Sequence, residues 1–159
     1  MYVMHRHLEL ERLQPPPGRG PWYPFGIRRE DHDGFNLHWW HKPVWHGAHN
    51  RRFFALTDRG GRHVARLHLD LDAPIDLYLT ATPVRPVLEV QFIEVHIAFR
   101  GQGIGPDIVN RVQRENPGHQ LMALSTDADG FWEGLGWARH RHKDDDGATA
   151  RYQSMFLGP

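Results

Sequence analysis

Residues 88–116, LEVQFIEVHIAFRGQGIGPDIVNRVQREN, decide how this chain folds. The first twelve, Leu88 to Phe99, make the longest strand candidate in the sequence. Leu88, Val90 and Phe92 are apolar on even positions, whereas Ile93, Val95, Ile97 and Phe99 are apolar on odd ones. A period-two pattern that slips by one residue implies an inserted residue, a β-bulge between Phe92 and Val95 that leaves backbone groups without ladder partners. A strand buried on both faces would lose phase in the same way. Arg100-Gly101-Gln102-Gly103-Ile104-Gly105-Pro106 then breaks the strand, and Ile108, Val109 and Val112 follow at helical spacing. Pro106 suits a first helical position and Asn116-Pro117-Gly118 a stop.

A strand that runs through a glycine-rich turn into a helix is an anion site on physical grounds. Glycines let the backbone turn tightly and approach a ligand, and the first N–H groups of a helix have no internal partner and point outward. The helix dipole favours negative charge there, and Arg100 adds a charge-assisted donor at the loop's start. The spacing is neither that of a P-loop nor the full dinucleotide fingerprint.

Outward from this stretch, Phe53–Thr57 and Arg62–Leu71 flank Asp58-Arg59-Gly60-Gly61 and read as a β-hairpin. In its second arm Ala65, Leu67, Leu69 and Leu71 lie opposite Arg66, His68 and Asp70. A proline-punctuated stretch occupies 74–86. On the other side come a strand over 120–125, a helix over 129–135 ended by Gly136, and a final hairpin of 137–142 and 148–157 across KDDDG. The N-terminus alternates, with Tyr2, Met4, Leu8 and Leu10 on one parity and His5, His7, Glu9 and Glu11 on the other, and predicts a strand. QPPPGRGPWYPFG, 14–26, reads as a surface loop. In 27–50, Phe35, Trp39 and Trp40 suggest a short helical turn that Pro43 ends.

The chain has 159 residues, which fits one domain, and no cysteine, which excludes a disulfide framework, a thiolate nucleophile and a Cys-bearing zinc site. Nineteen Lys+Arg against nineteen Asp+Glu gives a formal charge of zero, so a nucleic-acid partner held by a broadly basic surface is not expected. Seventeen of the nineteen cations are Arg. Arg suits phosphate and carboxylate, but Arg, Gly, Pro and His in joint excess are also what a GC-rich coding bias yields. Residues 22–49 gather Trp22, Tyr23, Phe25, Trp39, Trp40 and Trp45 with His38, His41, His46 and His49. The repeated His-x-x-His spacing lacks the further ligands a metal needs, so no metal is expected. Packing beneath a loop, or a wall of an acceptor pocket, accounts for the aromatics. With no membrane-length apolar run and no signal-like start, a cytoplasmic protein with no membrane partner is expected.

Arg-x-x-Gly-x-Gly after a long bulged strand resembles the pyrophosphate-binding signature of the GNAT acyltransferase superfamily. Ala128-Asp129-Gly130-Phe131-Trp132-Glu133-Gly134-Leu135-Gly136-Trp137 is similar to that family's Ala-x-x-Phe-Tyr-x-x-Leu-Gly-Phe. The resemblance covers 53–157 well and 1–50 loosely. It implies one α+β three-layer domain over 1–159. Its mixed, mostly antiparallel sheet has about seven strands, the fourth bulged, flanked by helices. In this reading 53–157 form an acyl-CoA core and 1–50 a variable acceptor-side segment.

The activity implied is N-acetyl transfer from acetyl-CoA to a primary amine of a small molecule or protein. A catalytically silent CoA-binding or protein-interaction module is the alternative, and the resemblance leaves room for a homodimer. By resemblance, main chain at Glu94, Val95 and His96 meets the pantetheine arm. Arg100, Gly101, Gln102, Gly103, Ile104 and Gly105 hold the pyrophosphate, and Ser125 and Trp132 stand in place of the family's asparagine and acid tyrosine. The base is Glu89 first, then Glu94, then His96, whose ordinary pKa near 6.5 is convenient.

Overall fold

The computed structural model describes residues 7–73, 75–148 and 151–159. The strands are β1 (Glu9–Leu13), β2 (Pro21–Trp22), β3 (Val44–Trp45), β4 (Arg51–Thr57), β5 (His63–Asp70), β6 (Val87–Val95), β7 (Gln120–Ser125), β8 (Ala138–His140) and β9 (Ser154–Leu157). The α-helices are α1 (Leu37–Trp40), α2 (Ile104–Glu115) and α3 (Asp129–Gly134). Seven strands form one sheet in the order β1-β4-β5-β6-β7-β9-β8, and β2 pairs with β3 separately. β6 and β7 run parallel, while the β1–β4, β7–β9 and β8–β9 pairs are antiparallel. Packing divides the chain into two units, one of 1–69 with 92–108 and one of 70–91 with 109–159.

In the first unit the turn between β4 and β5 is built by one carboxylate. Asp58 accepts from Gly60 N at 2.9 Å and Arg62 N at 3.0 Å, and pairs with the Arg62 guanidinium at 3.0 Å. Gly61, at φ +76°, supplies the left-handed residue that the turn needs. The core gathers Phe25, Trp40, Val44, Phe53 and Ala55, with Trp22 and Phe35 packed against it, so most aromatics of 22–49 are packing residues.

The face of β5 that carries Arg66 is not a solvent face. Arg66 is fully buried, its guanidinium between the rings of Phe25 (4.8 Å) and Phe35 (4.1 Å). It donates to His32 Nδ1 at 2.9 Å and to the Asp31 carbonyl at 2.5 Å, and burial pulls its pKa down to about 10. This arrangement pins 31–35 to β5. Asn36 starts α1 by accepting from His38 N and Trp39 N, and the expected helical turn before Pro43 is present.

In the second unit Tyr78, Met122, Met155 and Leu157 form one buried cluster of the core. α3 ends before Gly136 at φ +76°, much as its sequence predicts. The last hairpin is shorter than expected. β9 begins at Ser154, residues 151–153 of the expected strand are outside it, and residues 149 and 150 lie outside the described residues; before them 141–147 make local bonds such as Arg141 with Asp145 and Asp145 with Gly147 N. Tyr2, Met4 and His5 of the N-terminal strand expectation lie outside the described residues, as does Pro74.

Candidate active site

β6 is where the sequence expectations meet. Leu88, Glu89 and Val90 are buried in succession, so the strand is covered on both faces there. Among the described residues its ladder with β7 holds three pairs, Val87 with Gln120, Leu88 with Leu121 and Glu89 with Met122. The ladder stops at Glu89 although β6 continues to Val95 and β7 to Ser125.

The strand also stops earlier than the apolar pattern suggests. His96 Nδ1 accepts from Ala98 N at 3.1 Å and caps a 3₁₀ turn, Ile97–Phe99. The alternation through Phe99 therefore belongs to a turn. Arg100 follows, then Gly101 at φ +75° and Gly103 at φ +78°. Beyond the adjoining residues, no described atom lies within 4 Å of where a Cβ on either glycine would stand. α2 begins at Ile104, two residues before the expected start, and its first bond runs from Asp107 N to Gly103 O. Pro106 thus occupies the third helical position, still in the turn where a missing N–H leaves no intrahelical bond unmade.

Glu94 and His96 are committed to holding the first unit together. The Glu94 carboxylate accepts from Asn36 N at 2.9 Å, from Trp40 Nε1 at 2.7 Å and from Arg100 Nη2 at 3.0 Å. Arg100 Nε donates to the Val95 carbonyl at 3.0 Å, and His96 N donates to the Val64 carbonyl at 2.9 Å. The His96 ring lies against Gly34, where any Cβ would collide with it. His96 Nδ1 is spent on a cap and its ring packs against Gly34, so of the three bases ranked from the sequence Glu94 and His96 already have partners within the first unit.

Glu89 is different. It lies in the second unit, is 3% exposed, and its pKa is pushed up to about 7, first by burial and then by the charge of Asp70. The Gln91 amide, turned so that its nitrogen faces Glu89, donates to both carboxylate oxygens at 3.2 and 3.3 Å. The Glu89 charge in turn adds to burial in raising the pKa of Tyr78, whose hydroxyl donates to the Gln153 carbonyl at 3.1 Å. A carboxylate poised near neutrality is suited to taking a proton. Sequence reading missed Asp70, Tyr78 and Gln91. Gln91 is two residues from Glu89 on one strand and so shares its face, a signal that was available.

Ser125 closes β7, its hydroxyl accepting from Ala128 N at 3.3 Å. Asp127 between them adopts φ +57°. A depression of about 1070 Å³ opens beside this turn, lined by Ser125, Thr126, Asp127, Arg139, Tyr152 and Gln153 among others. Trp132 is 4% exposed and packs against Phe131 and Trp137, each at 4.7 Å. With so little surface it is part of the core. Among the described residues no group of three or more His, Cys, Asp or Glu could hold a metal ion. None of the described helices is long and apolar enough to cross a membrane.

No protein-family model and no curated protein matches the chain. Solved structures do. AtaT complexed with acetyl-methionyl-tRNAfMet superposes with TM-score 0.61 at 15% identity, over 96% of this chain and 94% of that one. A point mutant of KacT gives 0.61 at 16%, over 96% and 95%. An acetyltransferase from Thermus thermophilus gives 0.53 at 19%, over 70% of this chain and 65% of that chain, less than two thirds of its length. The fold is that of the GNAT acetyltransferases. Two of these matches take in 96% of the chain and so reach most of 1–50, where the sequence resemblance is loose.

Proposed function

We propose that this GNAT-fold protein transfers an acetyl group from acetyl-CoA to a primary amine of a small molecule or protein. The observation that carries the reading is the Arg100–Gly105 loop, with two left-handed glycines, open space above both, and a helix starting immediately after. N–H groups of Gly103, Ile104 and Gly105 would face the pyrophosphate, with Gly101 and Gln102 shaping the approach. Arg100 would add positive charge while its Nε and Nη2 hold Val95 and Glu94. Because the His96 N–H is given to Val64, pairing with the pantetheine arm would fall to main chain at Glu94 and Val95.

In the reaction the amine nitrogen attacks the thioester carbon, an N–C bond forms, and the C–S bond breaks. Coenzyme A leaves as its thiolate, and the ammonium proton passes to Glu89, directly or through water. Ser125, whose oxygen accepts from Ala128 N, keeps its own proton to donate to developing negative charge.

The test is thiol release from acetyl-CoA with a panel of amines: polyamines, peptide N-termini, lysine peptides and aminoacyl-tRNA. The last belongs in the panel because the AtaT structure holds acetyl-methionyl-tRNAfMet. Amine-dependent release that Glu89→Gln abolishes supports the proposal. Tight acetyl-CoA binding without release on any amine favours the silent module, a reading that the packed Trp132 in place of an acid tyrosine supports.

A further inference from the structure

A second concavity lies in the first unit, lined by none of the residues assigned above to the coenzyme or the reaction. The two-residue ladder of β2 and β3 sets Val44 inward, and the alternation along the strand then turns Trp45 outward, where 67% of it is exposed. It faces a groove of about 340 Å³ whose lining also includes Trp22, Phe53, Arg12, Arg51 and His46. Trp22 and Phe53 meet edge to face at 6.0 Å and give the groove a rigid aromatic wall.

The charge around that wall is of one sign. No Asp or Glu is among the described residues lining the groove, and neither Arg12 nor Arg51 joins an ion pair among the described residues. His46 presents Nδ1 to the Gly20 carbonyl and Nε2, at 2.8 Å, to the Pro16 carbonyl. Carbonyls only accept, so both ring nitrogens face acceptors, an arrangement that favours the protonated ring and raises its pKa. In a chain of zero net charge this is a local excess of cations around exposed indole.

The occupant that fits is a flat π-system carrying an anionic group. Arginine forks match phosphate oxygens, and indole faces accept stacked bases of any sequence. The volume suits one base with its sugar and phosphate, at the small end of ordinary ligand sites. We infer that this groove binds a nucleotide unit, its base stacked on Trp45 and its phosphate between Arg12 and Arg51. The unit is either a free nucleotide or one residue of a single-stranded RNA. The inference does not rest on acyl transfer.

The experiment measures binding of AMP, adenosine, inorganic phosphate, benzoate and a fluorescent single-stranded hexaribonucleotide to the full chain. The variants are Trp45→Ala, Arg51→Gln and Arg12→Gln, with thermal melts to confirm folding. AMP or the hexanucleotide should bind with an affinity that falls as salt rises. Trp45→Ala and Arg51→Gln should each weaken it about tenfold or more, and adenosine and phosphate alone should bind far more weakly. Equal affinity for AMP and hexamer assigns a free nucleotide; a tighter, more salt-sensitive hexamer assigns RNA. Binding that the folded variants leave unchanged, no binding of either probe, or benzoate binding as well as AMP overturns the inference. So does a Trp45→Ala variant that loses acetyl-CoA as it loses AMP, which would make the groove part of the coenzyme site. Gly103→Val separates the two proposals, because it should weaken acetyl-CoA and leave AMP binding intact.

Discussion

Arg100 Nη2 lies 3.0 Å from Glu94 Oε1, and the other oxygen of that carboxylate accepts the buried Trp40 indole N–H at 2.7 Å. One side chain thus joins the glycine loop to the aromatic segment 36–40. The Arg100 side chain is more than half exposed, so the ion pair itself contributes little. The donors on the buried side matter more, since losing their acceptor strands polar groups in the core.

Glu94→Gln should therefore lower stability by about 1–2 kcal/mol in urea denaturation, because charge-assisted bonds to Asn36 N and Trp40 Nε1 become neutral ones. Turnover of the folded variant should stay within about threefold, general-base loss being worth ~10²–10⁴. A hundredfold fall in kcat with unchanged stability would make Glu94 the base after all.

Gly103→Val should weaken acetyl-CoA by about tenfold or more, ~1.4 kcal/mol, because a branched side chain would occupy the open space over the loop. At φ +78° it should also cost the free protein on the order of 1 kcal/mol in strain. Calorimetry on a folded variant checks the first and a denaturation curve the second. Unchanged acetyl-CoA affinity would remove the loop from the coenzyme site.

Why these features differ in legibility follows from how far apart their parts lie in the chain. The β4–β5 turn is written within five residues, Asp58 to Arg62, and the helix after the glycine loop within its own apolar spacing, so both were readable in advance. The Glu94 clamp joins positions 54 and 58 apart, and the Arg66 contacts with His32 and Asp31 positions 34 and 35 apart. Alternation along β5 marks Arg66 as polar-facing but carries no sign of the two phenyl rings that cover it. Alternation alone carries the strand past Val95, because a capped 3₁₀ turn places Ile97 and Phe99 in a β-like rhythm.

His68 gives a pH dependence in the acid range. It stacks on Phe53 at 4.4 Å, its Nε2 is buried with no hydrogen-bond partner among the described residues, and its pKa falls to about 4, chiefly through burial. The unfolded chain takes up that proton near pH 6.5 and the folded one only near 4, so stability is intact above 6.5 and declines as pH drops through this window. The loss is at most about 3 kcal/mol. His68→Phe should keep the ring packing and flatten the decline in thermal melts between pH 6.5 and 4. An unaltered slope would assign it to other groups such as His32 and His63, whose pKa values burial also lowers.

Glu89 runs the other way and links stability to catalysis. Its folded pKa of about 7 lies above the ordinary 4.5, so the folded state holds the proton more tightly. Its contribution is full below pH 4.5 and is lost as pH rises to 7, by up to about 3 kcal/mol. Glu89→Gln has no charge to bury, so it should match wild type near pH 4.5 and melt higher than wild type at pH 8. The same variant should lose ~10²–10⁴-fold in turnover with acetyl-CoA affinity nearly intact, since the proton acceptor is gone. In wild type the acid limb of kcat/KM should follow Glu89 ionisation near pH 7. Asp70→Asn removes the like charge that helps raise the group, so it should move that limb to lower pH. Glu89→Gln should abolish it. A Glu89→Gln enzyme that keeps wild-type kcat while gaining stability at pH 8 would leave Glu89 a buried acid with no part in the reaction.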